Sequence, residues 1–165
     1  MPGNKLDATD LRILNTFIEH GAMSNVQLSA KVHLSESACH QRVSALKSAG
    51  ILRGFVADID FEAIVKPISV LTLIELESQN DAQFEKLSEA IHREPYIMRA
   101  YRIAGAYDYA LMSIAPSFDA YMETIQGVSK RAGGVKKYNS YVMHQMVKDQ
   151  SPTLDELTQL AHKKL

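Results

Sequence analysis

The chain has 165 residues, of which 46% are hydrophobic and 22% are charged, a balance that excludes wholesale disorder. Its 18 Lys and Arg residues against 19 Asp and Glu residues give a formal net charge of −1, so any nucleic-acid binding must come from a local basic surface. Because it has one cysteine, no apolar run near the ~20 residues that span a bilayer and no apolar leader, the sequence predicts a cytoplasmic protein without membrane association.

The first fifty residues have the apolar spacing of helices and predict three of them. Asp7 is the expected N-cap of the first helix, which ends at His20-Gly21. The second helix begins at Ser24, and the third is capped by Ser35 and stopped by Gly50.

A turn of about three residues, at His33-Leu34, separates the second and third helices. Two helices joined in this way have the form of a helix-turn-helix, so we expect residues 1–50 to be a DNA-binding domain. Residues 51–66 are predicted to follow as an extended linker strand.

Residues 67–150 have a different pattern, in which strand and helix signals alternate. The predicted elements are a strand over 70–76, a helix from Asn80 or Asp81 to just before Pro95, strands over 97–104 and 109–114, a helix from Ser117 to about Gly133, and a strand over 135–147. This order predicts an α+β ferredoxin-like sandwich. A terminal helix over 151–165 has apolar side chains that would dock on the domain or on a partner.

The exposed side of the third helix decides whether the helical domain reads DNA. Cys39, Val43, Leu46 and Gly50 share one side of the helix and are expected to face the core. The opposite side, here called the reading face, has only short or hydrogen-bonding side chains and no acid; it comprises Ser37, Ala38, Gln41, Ser44, Ala45 and Ser48.

These residue types suit a DNA major groove. Small side chains allow close approach, and a Gln side chain pairs bidentately with adenine. Cations flanking the face would lie over phosphates, and a serine at the helix start adds an anion contact. The predicted DNA contacts are Ser35, Ser37, Ala38, His40, Gln41, Arg42, Ser44, Lys47 and Arg53. The alternative is a surface helix of a small helical domain, with Arg42 in an internal ion pair.

Ordered motifs extend from Leu6 to Val147, across both halves of the chain. They are LDATDLRIL at 6–14, SNVQLS at 24–29, LS at 34–35, RVSAL at 42–46, GI at 50–51, GF at 54–55 and GAYD at 105–108. In this order they resemble the Lrp/AsnC (feast/famine) family of transcriptional regulators, and GAYD resembles the G-x-x-D turn of the family's RAM domain. Two features depart from the family: His33 stands where a glycine is frequent, so either a less tight turn or a residue at positive φ is expected, and the helix after Pro152 extends beyond the usual end.

The resemblance implies a winged helix-turn-helix domain joined by the linker strand to a βαββαβ RAM domain, with an extra C-terminal helix. It implies double-stranded DNA as a partner and a homodimer formed through the RAM sheet and the linker strand. Such dimers assemble further, for example into octamers. The small-molecule effector, usually an amino acid, is implied to bind between RAM domains beside the G-x-x-D turn. The implied effector contacts are Ala104, Gly105, Tyr107, Asp108 and Ser140, although Gly and Asp are also ordinary turn residues.

Motifs of catalysis are absent from the sequence, and we predict no catalytic residue, metal or cofactor. It contains no G-x-x-x-x-G-K, no G-x-G-x-x-G and no His pair at i, i+4. The enzyme alternative is a sirohaem decarboxylase, which resembles the same two-domain architecture and would need His144, Arg99 and Arg102 around one cationic cavity. A third possibility is a ligand-binding or co-assembly module that has lost DNA affinity.

Overall fold

The computed structural model describes residues 6–157, which form two compact units. The first unit, here called the head, comprises the described residues up to Asp58 together with those from Lys148 onward. The second unit, here called the sheet domain, comprises Ile59–Val147. The segment that follows the last strand therefore folds with the beginning of the chain.

Three helices build the head: α1 Ala8–His20, α2 Asn25–Val32 and α3 Glu36–Ser48. Each begins at a residue whose side-chain oxygen accepts a backbone N–H of the first turn, namely Asp7, Ser24 and Ser35. Such caps satisfy amides that have no partner within a helix. The predicted N-caps Asp7 and Ser35 are confirmed, as is the predicted beginning of the second helix at Ser24.

The head core lies where the three helices meet. Its fully buried side chains include Ile13 of α1, Val32 of α2 and Cys39 of α3. Gly50, expected to face this core, is exposed instead, because it follows the helix at φ 70°. Asn25 at the start of α2 donates its side-chain amide to the Glu36 carbonyl at 2.8 Å, which fixes α2 against the start of α3.

The turn between α2 and α3 depends on a residue in the left-handed region. His33 follows α2 at φ 55° and ψ 49° and is the C-cap of that helix. Its amide donates to the Ser29 carbonyl. Of the two alternatives expected at this turn, the structure therefore shows the residue at positive φ, and a residue with a Cβ is strained there.

The predicted linker strand has no strand partner among the described residues of this chain. Residues 51–67 pair with no strand, and a short helix, α4 Glu62–Val65, lies in the segment. Apolar side chains of this segment are exposed, including Val56 at 96% and Ile64 at 68%.

The sheet domain is a four-stranded antiparallel sheet with two helices. In chain order its elements are β1 Ile68–Leu76, α5 Asp81–His92, β2 Ile97–Arg102, β3 Tyr109–Ala115, α6 Phe118–Ala132 and β4 Val135–Met143. The strand order is β2-β3-β1-β4, with β1 antiparallel to both of its neighbours. This confirms the predicted ferredoxin-like α+β sandwich. The last strand ends at Met143 rather than Val147, because Met143 already lies opposite Ser69 near the beginning of β1.

One face of the sheet is buried beneath the helices and the other is open. Alternate residues of β1 (Val70, Thr72 and Ile74) and of β3 are buried with Leu87 of α5 and Ile125 of α6. On the other side, here called the open face, apolar side chains are half-buried or exposed. They are Leu71, Leu73, Tyr101, Ala110, Met112, Ile114, Tyr141 and Met143.

The strain at His33 yields a prediction for stability. Glycine adopts φ 55° without the steric penalty, and the exposed His33 ring makes no hydrogen bond within the described residues. His33→Gly should therefore raise the free energy of unfolding of the head by about 0.5–1 kcal/mol. Thermal or denaturant unfolding of the full chain would measure it.

The matched control is His20→Gly, which changes the last residue of α1 at an ordinary helical position. Here glycine should lower stability by up to ~1 kcal/mol. Destabilisation by both substitutions would contradict the assignment of strain to His33.

Candidate DNA-reading face and effector turn

The reading face of α3 is free of internal partners. Gln41 and Ser44 are exposed, and Lys47 flanks them near the end of the helix, with an exposed side chain. None of these three side chains makes a hydrogen bond or ion pair with another described residue, whereas Cys39 and Leu46 on the opposite side are buried. The helix thus presents neutral hydrogen-bonding groups to solvent with a cation beside them.

The other predicted DNA contacts lie around this face. Ser35 is the N-cap, and its hydroxyl accepts the Ala38 amide at 3.3 Å and lies 3.2 Å from the Ser37 hydroxyl. Ala38 is half-buried, and His40 is exposed. Arg53, five residues beyond the end of α3, is exposed as well.

Arg42 is engaged inside the head. One guanidinium nitrogen donates to Asp7 Oδ2 at 2.7 Å and to Asp10 Oδ1 at 2.9 Å. Asp7 caps α1, and its backbone N–H is in turn satisfied by Asp10, so the cation binds a capping box. The structure therefore places Arg42 in the internal ion pair that was the alternative to a phosphate contact, and the ion pair ties α3 to the start of α1.

The pKa values of this cluster follow from its hydrogen bonds. The pKa of Asp7 is lowered, first by the Asp10 backbone N–H and then by the Arg42 guanidinium. The pKa of Arg42 is raised by its hydrogen bonds to Asp7 and then Asp10. In the folded head, each group stabilises the charged form of its partner.

The turn between β2 and β3 contains most of the implied effector contacts. Ala104 and Gly105 are exposed, and Gly105 has φ 145°. Asp108 is buried: its carboxylate accepts the Leu76 amide at 2.8 Å, its amide donates to the Ile74 carbonyl, and its carbonyl accepts the Ile103 amide. The register of β1 against β4 shifts between Glu75 and Leu76. The Asp108 carboxylate therefore accepts the Leu76 amide where the regular pairing of the two strands ends. Asp108 holds the turn to β1, rather than facing solvent to receive an ammonium group.

Tyr107 connects the turn to β4 through partners that the sequence did not predict. Its hydroxyl accepts the Asn139 side-chain amide at 2.7 Å, and Lys137 Nζ lies 5.6 Å from its ring centroid. Lys137 also pairs with Glu75 at 2.9 Å and, after Lys136, lowers the pKa of that carboxyl. Only the register of β4 against β1 brings these side chains beside the turn.

Ser140 lies on the other face of the sheet. It is opposite Thr72, whose side chain is buried beneath the helices, and its hydroxyl bonds the Tyr121 hydroxyl. Tyr121 also bonds the Thr72 hydroxyl at 2.8 Å. Neighbouring residues of a strand point to opposite faces, so Asn139 reaches Tyr107 and Ser140 does not. The Ser140 side chain thus lies on the helix side of the sheet, away from Tyr107, and its role as an effector contact stays a prediction.

The residues required by the enzyme alternative are not brought together. Arg99 lies opposite Met112 on the open face, whereas Arg102 lies opposite Tyr109 on the helix side and stacks over the Phe84 ring. The groove that Arg102 lines, about 850 Å³, also contains several carboxylates. His144 follows the end of β4.

Residues 6–157 contain neither a metal-binding cluster nor a membrane-spanning helix. No group of three or more His, Cys, Asp or Glu side chains there is arranged to hold a metal ion. No helix in the same range is long and apolar enough to cross a membrane.

Family comparisons match both units of the chain. The model for winged helix-turn-helix DNA-binding matches residues 6–53, and the model for the Lrp/AsnC ligand binding domain matches residues 69–153. The chain belongs to the Lrp/AsnC family. It is a transcriptional regulator in which a DNA-binding head accompanies a ligand-binding domain.

Individual relatives and solved structures are similar over nearly the whole chain. The leucine-responsive regulatory protein of Escherichia coli is 31% identical over 89% of this chain and 90% of its own length. The transcriptional regulatory protein DoeX of Halomonas elongata is 29% identical over 91% of this chain and 95% of its own. A Neisseria meningitidis transcriptional regulator, solved in complex with L-Met, superposes with a TM-score of 0.82 at 27% identity, covering 93% of this chain and 99% of that one.

The Arg42 cluster predicts a pH-dependent stability of the head. Asp7→Asn keeps a good N-cap but removes the carboxylate charge. At pH 7 the variant should unfold at a lower temperature than the parent. Since the pKa of Asp7 is lowered in the folded state, its contribution is full above the ordinary Asp range and is lost as the pH falls below about 4.

Thermal unfolding between pH 3 and 7 measures this difference, with Asp58→Asn as a control of equal charge change outside the cluster. A difference between the parent and Asp7→Asn that persists unchanged at pH 3 would contradict the ionic origin.

Proposed function

We propose that this protein is a sequence-specific transcriptional regulator in which α3 enters the DNA major groove and an amino acid acts as the effector. The observation that carries the proposal is the acid-free reading face of α3, where Gln41 and Ser44 are exposed and unpartnered within the described residues. Residues 1–50 are proposed to bind DNA, 51–66 to link, and 67–150 to bind the effector and oligomerise.

Base contacts are assigned to the reading face and phosphate contacts to its flanking cations. Gln41 fits a bidentate pair with adenine, and the small neighbours allow close approach. Because Arg42 is engaged with two carboxylates, Lys47 and Arg53 supply the phosphate contacts. Two phosphate-binding cations beside one reading face predict weak binding by a single copy.

A homodimer that assembles further, such as an octamer, offsets that weakness by presenting several heads at once. Two groups of unpartnered apolar side chains support dimerisation. One is the open face of the sheet, where Tyr101 and Tyr141 are each about half exposed. The other is the linker, with Val56, Ile59 and Ile64 exposed. Exposed groups of large apolar side chains are typical of interaction sites.

The effector site is proposed at the turn over 103–108. The exposed backbone at Ala104 and Gly105 is open to a carboxylate, and Tyr107 and Lys137 lie beside it. The L-Met bound by the similar Neisseria meningitidis regulator supports an amino acid as the ligand class. Asp108 is proposed to preorganise the turn through its buried hydrogen bonds.

Regulation without catalysis is favoured over the decarboxylase alternative. Family membership supports a regulator, and Arg99 and Arg102 lie on opposite faces of the sheet. We therefore propose no catalytic residue and no cofactor, and an action on DNA in the cytoplasm.

Substitutions in α3 separate base reading from phosphate binding. Gln41→Ala should lower affinity for a selected genomic fragment by about 1–3 kcal/mol and relax base preference at one position. Lys47→Ala should instead weaken binding to selected and scrambled DNA alike. It should also reduce the slope of log affinity against log salt concentration by about one, the value for one phosphate contact. Fluorescence anisotropy over a salt series measures both effects.

Lys86→Ala is the charge-matched control, because Lys86 is exposed on α5 in the sheet domain. Identical profiles for Gln41→Ala and Lys47→Ala would overturn the division of roles. Failure to select any DNA fragment would favour the module without DNA affinity.

The effector turn is tested by titrating L-amino acids into the full chain. At least one should bind in calorimetry and shift DNA affinity, because an effector regulates only if it prefers one state. Ala104→Trp, which fills the space beside the turn without demanding a positive φ, should abolish that binding. Ala82→Trp, at an exposed position of α5, should retain it. Undiminished binding by Ala104→Trp would place the ligand elsewhere.

A further inference from the structure

The head contains an apolar groove between α1 and the segment that follows α3. It encloses about 300 Å³ and is lined by Leu14, Phe17, Ile18, Ile51, Leu52, Gly54, Phe55 and Leu154. Seven of these residues belong to the N-terminal part of the head, and the eighth comes from the segment after the sheet domain. None belongs to α3.

Leu154 enters this groove at the start of a helical turn. Its amide donates to the Asn15 side-chain oxygen of α1 at 2.8 Å, and its half-buried side chain packs against the head core. Thr153 and Glu156 cap the turn reciprocally: the Thr153 amide donates to Glu156 Oε2 at 2.7 Å, and the Glu156 amide donates to Thr153 Oγ1 at 3.3 Å. A capping box of this kind marks the beginning of a helix.

The groove is only partly covered by Leu154. Ile18, Ile51 and Phe55 around it remain 38%, 40% and 44% exposed, and Leu157 is 50% exposed. Side chains three and four positions apart lie on one face of a helix. In the sequence, Leu160 and Ala161 follow Leu157 at three and four positions, which is the spacing of one helix face.

We propose that the C-terminal segment of this chain, from Thr153 through the residues after Leu157, is the occupant of the groove and braces the head for DNA binding. The existing contact of Leu154 supplies the continuity, and the next apolar residues have the helical spacing to extend it. The braced segment 51–55 contains Arg53, so the brace also holds a proposed phosphate contact in place. Because α3 does not line the groove, the reading face stays free.

Truncation tests the brace. A chain ending at Gln150 should lose hydrogen-exchange protection in α1, and its head should unfold at a temperature lower by roughly 4 °C or more. DNA binding should weaken while the number of phosphates contacted is nearly unchanged, so the salt dependence should stay steep. Gln150→Ala in the full-length chain is the control. Tighter DNA binding by the truncated chain would show an autoinhibitory tail and overturn the proposal.

Cross-linking tests the occupant without relying on a destabilised variant. Ile18→Cys and Leu160→Cys in one chain should form an intrachain disulfide under mild oxidation, seen as altered mobility on a denaturing gel. Cys39 should not compete, since it is buried and burial raises the pKa of its thiol. Disulfide-linked dimers, which indicate a tail exchanged between copies, or no cross-link at all, would each refute docking within one chain.

Discussion

The ion pair of Arg42 with Asp7 and Asp10 determines both how the head is assembled and what charge it offers to DNA. It holds α3 to α1 through Asp7, the N-cap of α1, and through Asp10 in the first turn of that helix. The same contact neutralises Arg42, which is one of the three cations near the reading face. What remains is a neutral reading face with Lys47 and Arg53 near it. With so few cations, the proposed base recognition relies on fit and hydrogen bonding, and the overall affinity on the number of heads.

A buried carboxylate has the corresponding role in the sheet domain. Asp108 satisfies the Leu76 amide where the ladder of β1 becomes irregular, and it thereby joins the β2–β3 turn to the central strand. An exposed turn anchored in this way presents its backbone in one conformation. A ligand that binds there meets a rigid surface, and its binding does not have to order a loop.

Local features of this protein were predictable from sequence, and nonlocal ones were not. The caps at Asp7, Ser24 and Ser35 and the alternation in β1 depend on residues a few positions apart. The partners of Asp108 and Ser140 depend on the register of β1 and β4, which short-range spacing does not determine. Arg42 had two plausible partners in the sequence, phosphate or carboxylate, and only the packing of α1 on α3 chose between them. That residues 51–67 pair with no strand of this chain is likewise invisible to short-range spacing.

The contact between Asn15 and Leu154 also constrains how the protein is made. The two residues are 139 positions apart, with the whole sheet domain between them. At translation rates of about 5–20 residues per second, roughly 7–30 s separate their synthesis. During that interval the groove beside α1 lacks Leu154, so the head, which is synthesised first, acquires this contact only after the whole sheet domain has been made.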